Sequence, residues 1–223
     1  MSLFLKQFST HSEYDTYING SDAILPNVSI CTTEGDVHYN PYAEPIETRV
    51  VAKFNVDDTS GPTQIMGENA DSLFSAIEID GVEQPSVVSA YTFSTEGEHT
   101  VKYTLTNPTS IGEYAFYSCY SLTSVVIPDS VTSIGDDAFN GSYFENCTIG
   151  NGITSIGNQA FFNNSYLNSV TIMATTPPSI CSDYCNFGGE MSTPTIYVPS
   201  ASVETYKAAS GWSSYADYIE PIS

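Results

Sequence analysis

Ser110-Ile111-Gly112-Glu113-Tyr114-Ala115-Phe116 returns as Ser133-Ile134-Gly135-Asp136-Asp137-Ala138-Phe139 and again as Ser155-Ile156-Gly157-Asn158-Gln159-Ala160-Phe161. The steps from Ile111 to Ile134 and from Ile134 to Ile156 are 23 and 22 residues. A fixed period of that size predicts a solenoid, in which each coil leaves an apolar edge that only a neighbouring coil covers. Glycine after the isoleucine suits a turn where a side chain would crowd the next coil. Alanine before the phenylalanine is small and lets successive coils approach.

Between these lines runs a second phrase, apolar-x-x-apolar-x-apolar. It is Leu122, Val125, Ile127, then Phe144, Cys147, Ile149, then Leu167, Val170, Ile172, with a degenerate copy at Thr193, Ile196, Val198. Its last two positions are two apart and share one side of a strand. Strands are therefore predicted at 122–127, 144–149, 167–172 and 195–198. The residues between the inward positions are Ser124 and Val126, Asn146 and Thr148, Ser169 and Thr171, Thr195 and Tyr197. Stacking would align these eight into one exposed strip, mostly polar, uncharged and ending in an aromatic. Solenoids bind partners on such faces. At any single position the plainer reading, a β-compatible residue on an exposed strand, competes with this one.

Ser-Ile-Gly-x-x-Ala-Phe alternating with Leu-x-Ser-Val-x-Ile-Pro resembles the BspA-like leucine-rich repeats of bacterial surface proteins. The likeness runs from about Thr106 to Ser223. Tyr197-Val198-Pro199 followed by Tyr206-Lys207-Ala208-Ala209 is similar to the family's ending. The resemblance implies a secreted or surface-exposed binding module rather than an enzyme.

The expected fold is mainly β, in three parts. Residues 1–45 form a short β-rich docking segment. Thr10 and Glu13 fit a capping box opening a helix to about Ile18, which Asn19-Gly20 stops. Val28–Cys31 and Asp36–Tyr39 flank Thr32-Thr33-Glu34-Gly35 as a hairpin. This opening resembles the first residues of some structural proteins of phages and prophages from gut bacteria. Residues 46–107 read as a small Ig-like β-sandwich. Val50, Ala52, Phe54 and Val56 alternate, Asp80-Gly81 marks a hairpin after Ile77 and Ile79, and Tyr91 and Phe93 are expected to pair back onto Val101, Tyr103 and Leu105. Such a sandwich usually has about 100 residues, so this one is expected to borrow core from its neighbour. Residues 108–223 form the solenoid, with Cys181 to Met191 as an irregular excursion. Ser200 opens a capping helix, Gly211 stops it, and Val203, Tyr206 and Trp212 cover the open end.

The formal net charge of the 223 residues is −21, and Lys6, Arg49, Lys53, Lys102 and Lys207 are the whole cationic set. Phosphate neutralisation needs a basic patch, so neither nucleic acid nor an anionic membrane is an expected partner. No apolar run reaches the length of a membrane-spanning helix. The five cysteines, at 31, 119, 147, 181 and 185, show no zinc spacing, and Cys119 and Cys147 are expected to be buried. Whether Cys181 and Cys185 pair stays open. His11, His38 and His99 sit in no catalytic or metal motif and read as solvated or strand-edge residues. Asp136-Asp137 lacks a calcium-loop pattern and reads as a solvated turn. No cofactor or metal is expected, and no catalytic residue stands out.

The expected function is a non-catalytic binding or structural module with a protein or glycan ligand on a cell surface. The first expectation is a phage virion-associated fibre or decoration protein. It would multimerise through its N-terminal segment and contact other virion proteins there. Met1–Phe8 holds no apolar run of signal-peptide length, which favours a carrier that assembles in the cytoplasm. The alternatives are a bacterial cell-surface adhesin and, third, a glycan-active enzyme.

Overall fold

The computed structural model describes residues 48–180, 187–188 and 193–222, with the backbone of two short strands at 30–31 and 37–38. The chain divides after Glu47. In the first unit β1 (Ile30–Cys31) pairs antiparallel with β2 (Val37–His38), Ile30 opposite His38, as expected of a hairpin about Thr32–Gly35. The helix expected at 10–18 lies outside the described residues, as does the rest of the docking segment.

The second unit begins with β3 (Val50–Val56), β4 (Thr63–Gln64), β5 (Phe74–Ile79), β6 (Val82–Glu83), β7 (Ala90–Tyr91) and β8 (Gly97–Leu105). The repeats follow as β9 (Ser110–Ile111), β10 (Leu122–Ile127), β11 (Ser133–Ile134), β12 (Asn146–Ile149), β13 (Ser155–Ile156), β14 (Phe161–Phe162), β15 (Ser169–Ile172), β16 (Phe187–Gly188) and β17 (Thr195–Val198). A short helix α1 (Val203–Ala208) and β18 (Ile219–Pro221) end the described chain. The four repeat strands β10, β12, β15 and β17 are placed within two residues of their sequence-based bounds.

One mixed sheet of nine strands, in the order β18-β17-β15-β12-β10-β3-β8-β5-β6, organises this unit. From β10 to β18 the strands are parallel and in register; from β10 through β3, β8 and β5 to β6 they are antiparallel. Residues 46–107, expected as an Ig-like sandwich, thus give four strands to the sheet that the repeats continue. The core is shared along it. Ile79, Val101, Ala52, Val125, Cys147, Val170, Ile196 and Ile219 face one another strand by strand in a single apolar row, each at most 3% exposed.

Two pairings differ from expectation. Asp80-Gly81 does close the β5–β6 hairpin, with φ of 49° and 82° as a type I′ turn requires. Tyr91, however, pairs with Thr63 rather than folding back on Val101. Strand β8 instead lies between β3 and β5. His99, Val101, Tyr103 and Leu105 alternate along it on the buried face, matching the alternation of both neighbours.

A second parallel sheet, β13-β11-β9, stacks Ser155 on Ser133 on Ser110 and Ile156 on Ile134 on Ile111. The three isoleucines are at most 3% exposed. Within the same buried core the aromatic line of the repeat forms a spine. Phe116, Phe139, Phe161 and Phe187 stack at 5.0, 5.1 and 5.2 Å, within 15° of parallel. Phe187 comes from the stretch expected to be irregular; β16 pairs with β14 and makes Phe187 the fourth rung. The other residues of that stretch, Cys181 and Cys185 among them, lie outside the described set. Phe74 and Tyr103 close one end of the spine, Trp212 and Tyr215 the other.

The glycines of the signature line owe their place to close approach. A Cβ on Gly135 would stand 2.6 Å from the Glu113 backbone nitrogen, and one on Gly157 2.6 Å from that of Asp136. The left-handed turn comes two residues later, at Tyr114, Asp137 and Gln159, with φ of 57°, 53° and 53°. Non-glycine residues pay strain there. Backbone bonds between coils hold the turn, Phe116 N donating to Ala138 O at 2.7 Å and Phe139 N to Ala160 O at 2.8 Å.

At the C-terminal end Tyr206 donates to the Ala174 carbonyl and Trp212 Nε1 to that of Pro178, at 2.9 and 2.8 Å, and both rings are fully buried. Ser200 does not cap the helix as expected: its hydroxyl donates to the Ile222 carbonyl at 3.2 Å, tying the last residues to the stack. Gly211, at φ 81°, follows the helix as predicted.

Ile134→Ala should lower unfolding free energy by about 2–5 kcal/mol, as truncation of a buried isoleucine does. Gly135→Ala should also destabilise, because the added methyl meets backbone. Denaturant unfolding checks both, and a change below about 0.5 kcal/mol for Ile134→Ala would place that side chain outside the core.

Candidate functional site

The sheet face opposite the apolar row carries the strip. The in-register pairing sets Ser124, Asn146, Ser169 and Thr195 in one line and Val126, Thr148, Thr171 and Tyr197 in the next. All eight expected residues are thereby brought together. Val126, Asn146 and Tyr197 are exposed and the other five half-buried. Ser169 donates to Asn146 Oδ1 at 2.8 Å, so the amide is oriented within the line. The lines run on beyond the repeats: Lys53 stands beside Ser124, Val51 beside Val126 and Glu220 beside Tyr197. The strip is uncharged in its middle and charged at its ends, with Lys53 held by Glu98 at 2.8 Å.

A second outward row was not anticipated. Tyr120, Tyr143 and Tyr166 stand just before β10, β12 and β15, at steps of 23 residues. Their ring centroids are 5.0 and 5.2 Å apart, tilted by 55° and 57°. The signal was present as that exact spacing, but attention to inward positions passes over a residue that precedes the apolar phrase. Where the ladder nears β3, Tyr120 and Ser121 line a pocket of about 290 Å³ with Asp57, Asp58, Thr63 and Gln64.

Hydroxyls, an amide and aromatic rings hydrogen-bond and stack; catalysis would need an activated nucleophile or an acid–base pair. His99 is on the buried face of β8, Nδ1 2.6 Å from Asp80 and Nε2 2.9 Å from the Thr95 carbonyl oxygen. It is a structural residue rather than a solvated one. The side chains of His11 and His38 lie outside the described set. Among the described residues no three His, Cys, Asp or Glu are placed to hold a metal ion. Asp136 and Asp137 are turn residues: Asp136 accepts from Asn158 N at 2.7 Å and Asp137 from Asn140 Nδ2 at 2.6 Å. Cys119 and Cys147 are buried free thiols whose pKa burial pushes up, far from the reactive thiolate range. Among the described residues no helix is long and apolar enough to cross a membrane.

Parallel strands stacked at a step of 22 or 23 residues, each fed by a Ser-Ile-Gly-x-x-Ala-Phe turn, are the build of leucine-rich repeats. The family described as the BspA type leucine rich repeat region matches residues 86–206 in six copies, and this chain belongs to it. The match begins inside the stretch read as an Ig-like spacer. No curated protein matches the chain.

His99 makes a pH-dependent contribution to stability. Burial opposes its charged form, but the hydrogen bonds to Asp80 and to the Thr95 carbonyl, with the Asp80 charge, outweigh it and raise the pKa above 6.5. A raised folded pKa stabilises fully below the unfolded value, and that stability is lost as pH rises through the folded one. This contribution to the melting temperature should therefore be lost as pH rises above the ordinary histidine value of about 6.5, and His99→Gln should flatten that fall. An identical slope in the variant would show that His99 does not carry it.

Proposed function

We propose that this chain is a non-catalytic adhesion module that presents its repeat sheet to a protein or glycan on a cell surface. The observation that carries the reading is the pair of in-register lines Ser124-Asn146-Ser169-Thr195 and Val126-Thr148-Thr171-Tyr197. Register turns eight residues that are unremarkable singly into one continuous surface of donors, acceptors and apolar edges. Repeat proteins bind along such extended faces, and family membership supports a protein-binding, adhesin-like role. The fold we infer for the repeat part is a solenoid, capped at one end by residues 48–105 and at the other by α1, Trp212 and β18. In this reading residues 46–107 serve as a spacer of Ig-like character, fused to the stack.

Two carriers fit the module, a phage virion and a bacterial cell surface, the segment before Glu47 docking it to other proteins of either assembly. Multiple copies on one carrier would raise avidity from weak single sites. Mass spectrometry of purified particles against host membrane fractions distinguishes the two.

Tyr197→Ala combined with Asn146→Ala should weaken attachment to target cells about tenfold while the melting temperature stays close to that of the parent, since both side chains are exposed. Unchanged attachment would remove the strip from recognition. The purified chain should show no turnover across a panel of glycans; robust hydrolysis would replace the adhesion reading with an enzymatic one.

A further inference from the structure

The tyrosine ladder has a chemistry that the hydroxyl strip lacks. Tyr120, Tyr143 and Tyr166 are 58%, 44% and 57% exposed, yet each ring lies about 5 Å from the next. Single exposed aromatics are ordinary; a contiguous row of them marks a contact surface. Each tyrosine offers an apolar body, a negative π face and a polar tip.

The charge around the row selects the sign of its partner. Between Tyr103 and Tyr206 the sequence has no Lys or Arg, and the described residues there include six carboxylates, Glu145 among them two residues after Tyr143. On the strands beside the repeats, Lys53 is held by Glu98, and Arg49 by Glu78. Asp57 and Asp58 line the pocket that begins at Tyr120. Asp58 is set in place by Ser60, whose backbone N–H and hydroxyl donate to its two oxygens at 2.8 and 2.9 Å. Asp57 accepts from Asn55 Nδ2 at 2.6 Å. An aromatic row that leads into two oriented carboxylates joins two recognition elements for one kind of group, a side-chain cation.

We propose that the ladder Tyr120-Tyr143-Tyr166, with the Asp57–Asp58 pocket at its β3 end, docks a cationic polypeptide segment. Arginine or lysine side chains of the partner lie over the tyrosine rings, and one cationic end group enters the pocket. The proposal rests on the adhesion reading and names a partner chemistry for it. A cation within about 6 Å of a ring centroid is drawn to the π face, and the planar guanidinium also stacks on it. The acidic surroundings steer a basic partner in and turn an anionic one away. A neutral glycan would stack on the rings but would find no use for the negative field.

The test measures binding of the full chain to a fluorescent octa-arginine peptide, a Gly-Ser peptide of equal length and neutral chito- and cello-oligosaccharides. Octa-arginine should bind, more weakly at about 300 mM than at about 50 mM salt because screening lengths shorten, and the neutral probes should not. Tyr120→Ser, Tyr143→Ser and Tyr166→Ser together leave the net charge unchanged and should weaken octa-arginine binding about tenfold. The corresponding Phe variant should retain it, as should Tyr218→Ser, which removes an exposed ring elsewhere. Equal binding by the triple Ser variant would attribute the effect to bulk acidity and overturn the proposal. Preference for an oligosaccharide, or no peptide binding at all, would overturn it too. Should the Ser variant fail to fold, Asp57→Asn with Asp58→Asn reads the pocket, with several-fold weaker binding expected and unchanged affinity refuting the site. Cell attachment that ignores the ladder but still needs Tyr197 and Asn146 would remove this inference alone.

Discussion

Phe116, Phe139, Phe161 and Phe187 stack face to face at 5.0 to 5.2 Å, and that distance is set by the backbone. Neighbouring strands in a sheet lie about 4.7–4.9 Å apart. Identical side chains in exact parallel register must therefore repeat at nearly that spacing, which lies within the centroid distances at which aromatic pairs attract. A coil with its phenylalanine one residue out of place would lose the stack and turn its outward residues inward. The same register brings Ile134 under Ile111 and sets Gly135 against the Glu113 backbone. Step length is thus the constraint from which core, turns and outer face all follow.

A stack of this kind has two raw ends, and each is closed by different means. At the first, Phe74 and Tyr103 meet Phe116 edge-on, and β3 pairs antiparallel with β10. The antiparallel partner ends the parallel run, because β3 and β8 return along the sheet instead of adding another coil. At the other, Trp212 and Tyr215 cover Phe187 while β18 adds a last parallel strand. That strand is three residues long and carries Glu220 and Pro221, features that blunt an open edge against pairing with another chain. At the opposite edge β6 is only two residues long.

The repeat was legible because its signals are local and recur: inward Ile111, Ile134 and Ile156, the four strands, and all eight residues of the strip follow from spacing alone. The Asp80-Gly81 hairpin was legible because both central residues suit positive φ. What escaped depends on partners distant in sequence. Nothing near Val51 states that it will lie beside Val126, and nothing near Ala90 states that it will meet Gln64 rather than a later strand. Phe187 was hidden by an insertion that lengthens its step from Phe161 to 26 residues. Ser200 carries the mark of a helix cap, but a carbonyl brought in by the chain end takes its hydroxyl. The tyrosine ladder has perfect spacing, yet its exposure is decided only when the coils stack.

The inner and outer aromatic rows make one comparison within a single register. Inside, the phenylalanines are buried and stay within 3° to 15° of parallel. Outside, Tyr120, Tyr143 and Tyr166 repeat at the same interval but tilt by 55° and 57°. The backbone fixes the interval in both places, and the buried row is the more nearly parallel of the two. A row whose spacing is set by the backbone is preorganised in position, where ordering is costly on binding. The same stacking that makes the core hard to alter therefore leaves the outer surface free to change residue by residue without loss of the fold.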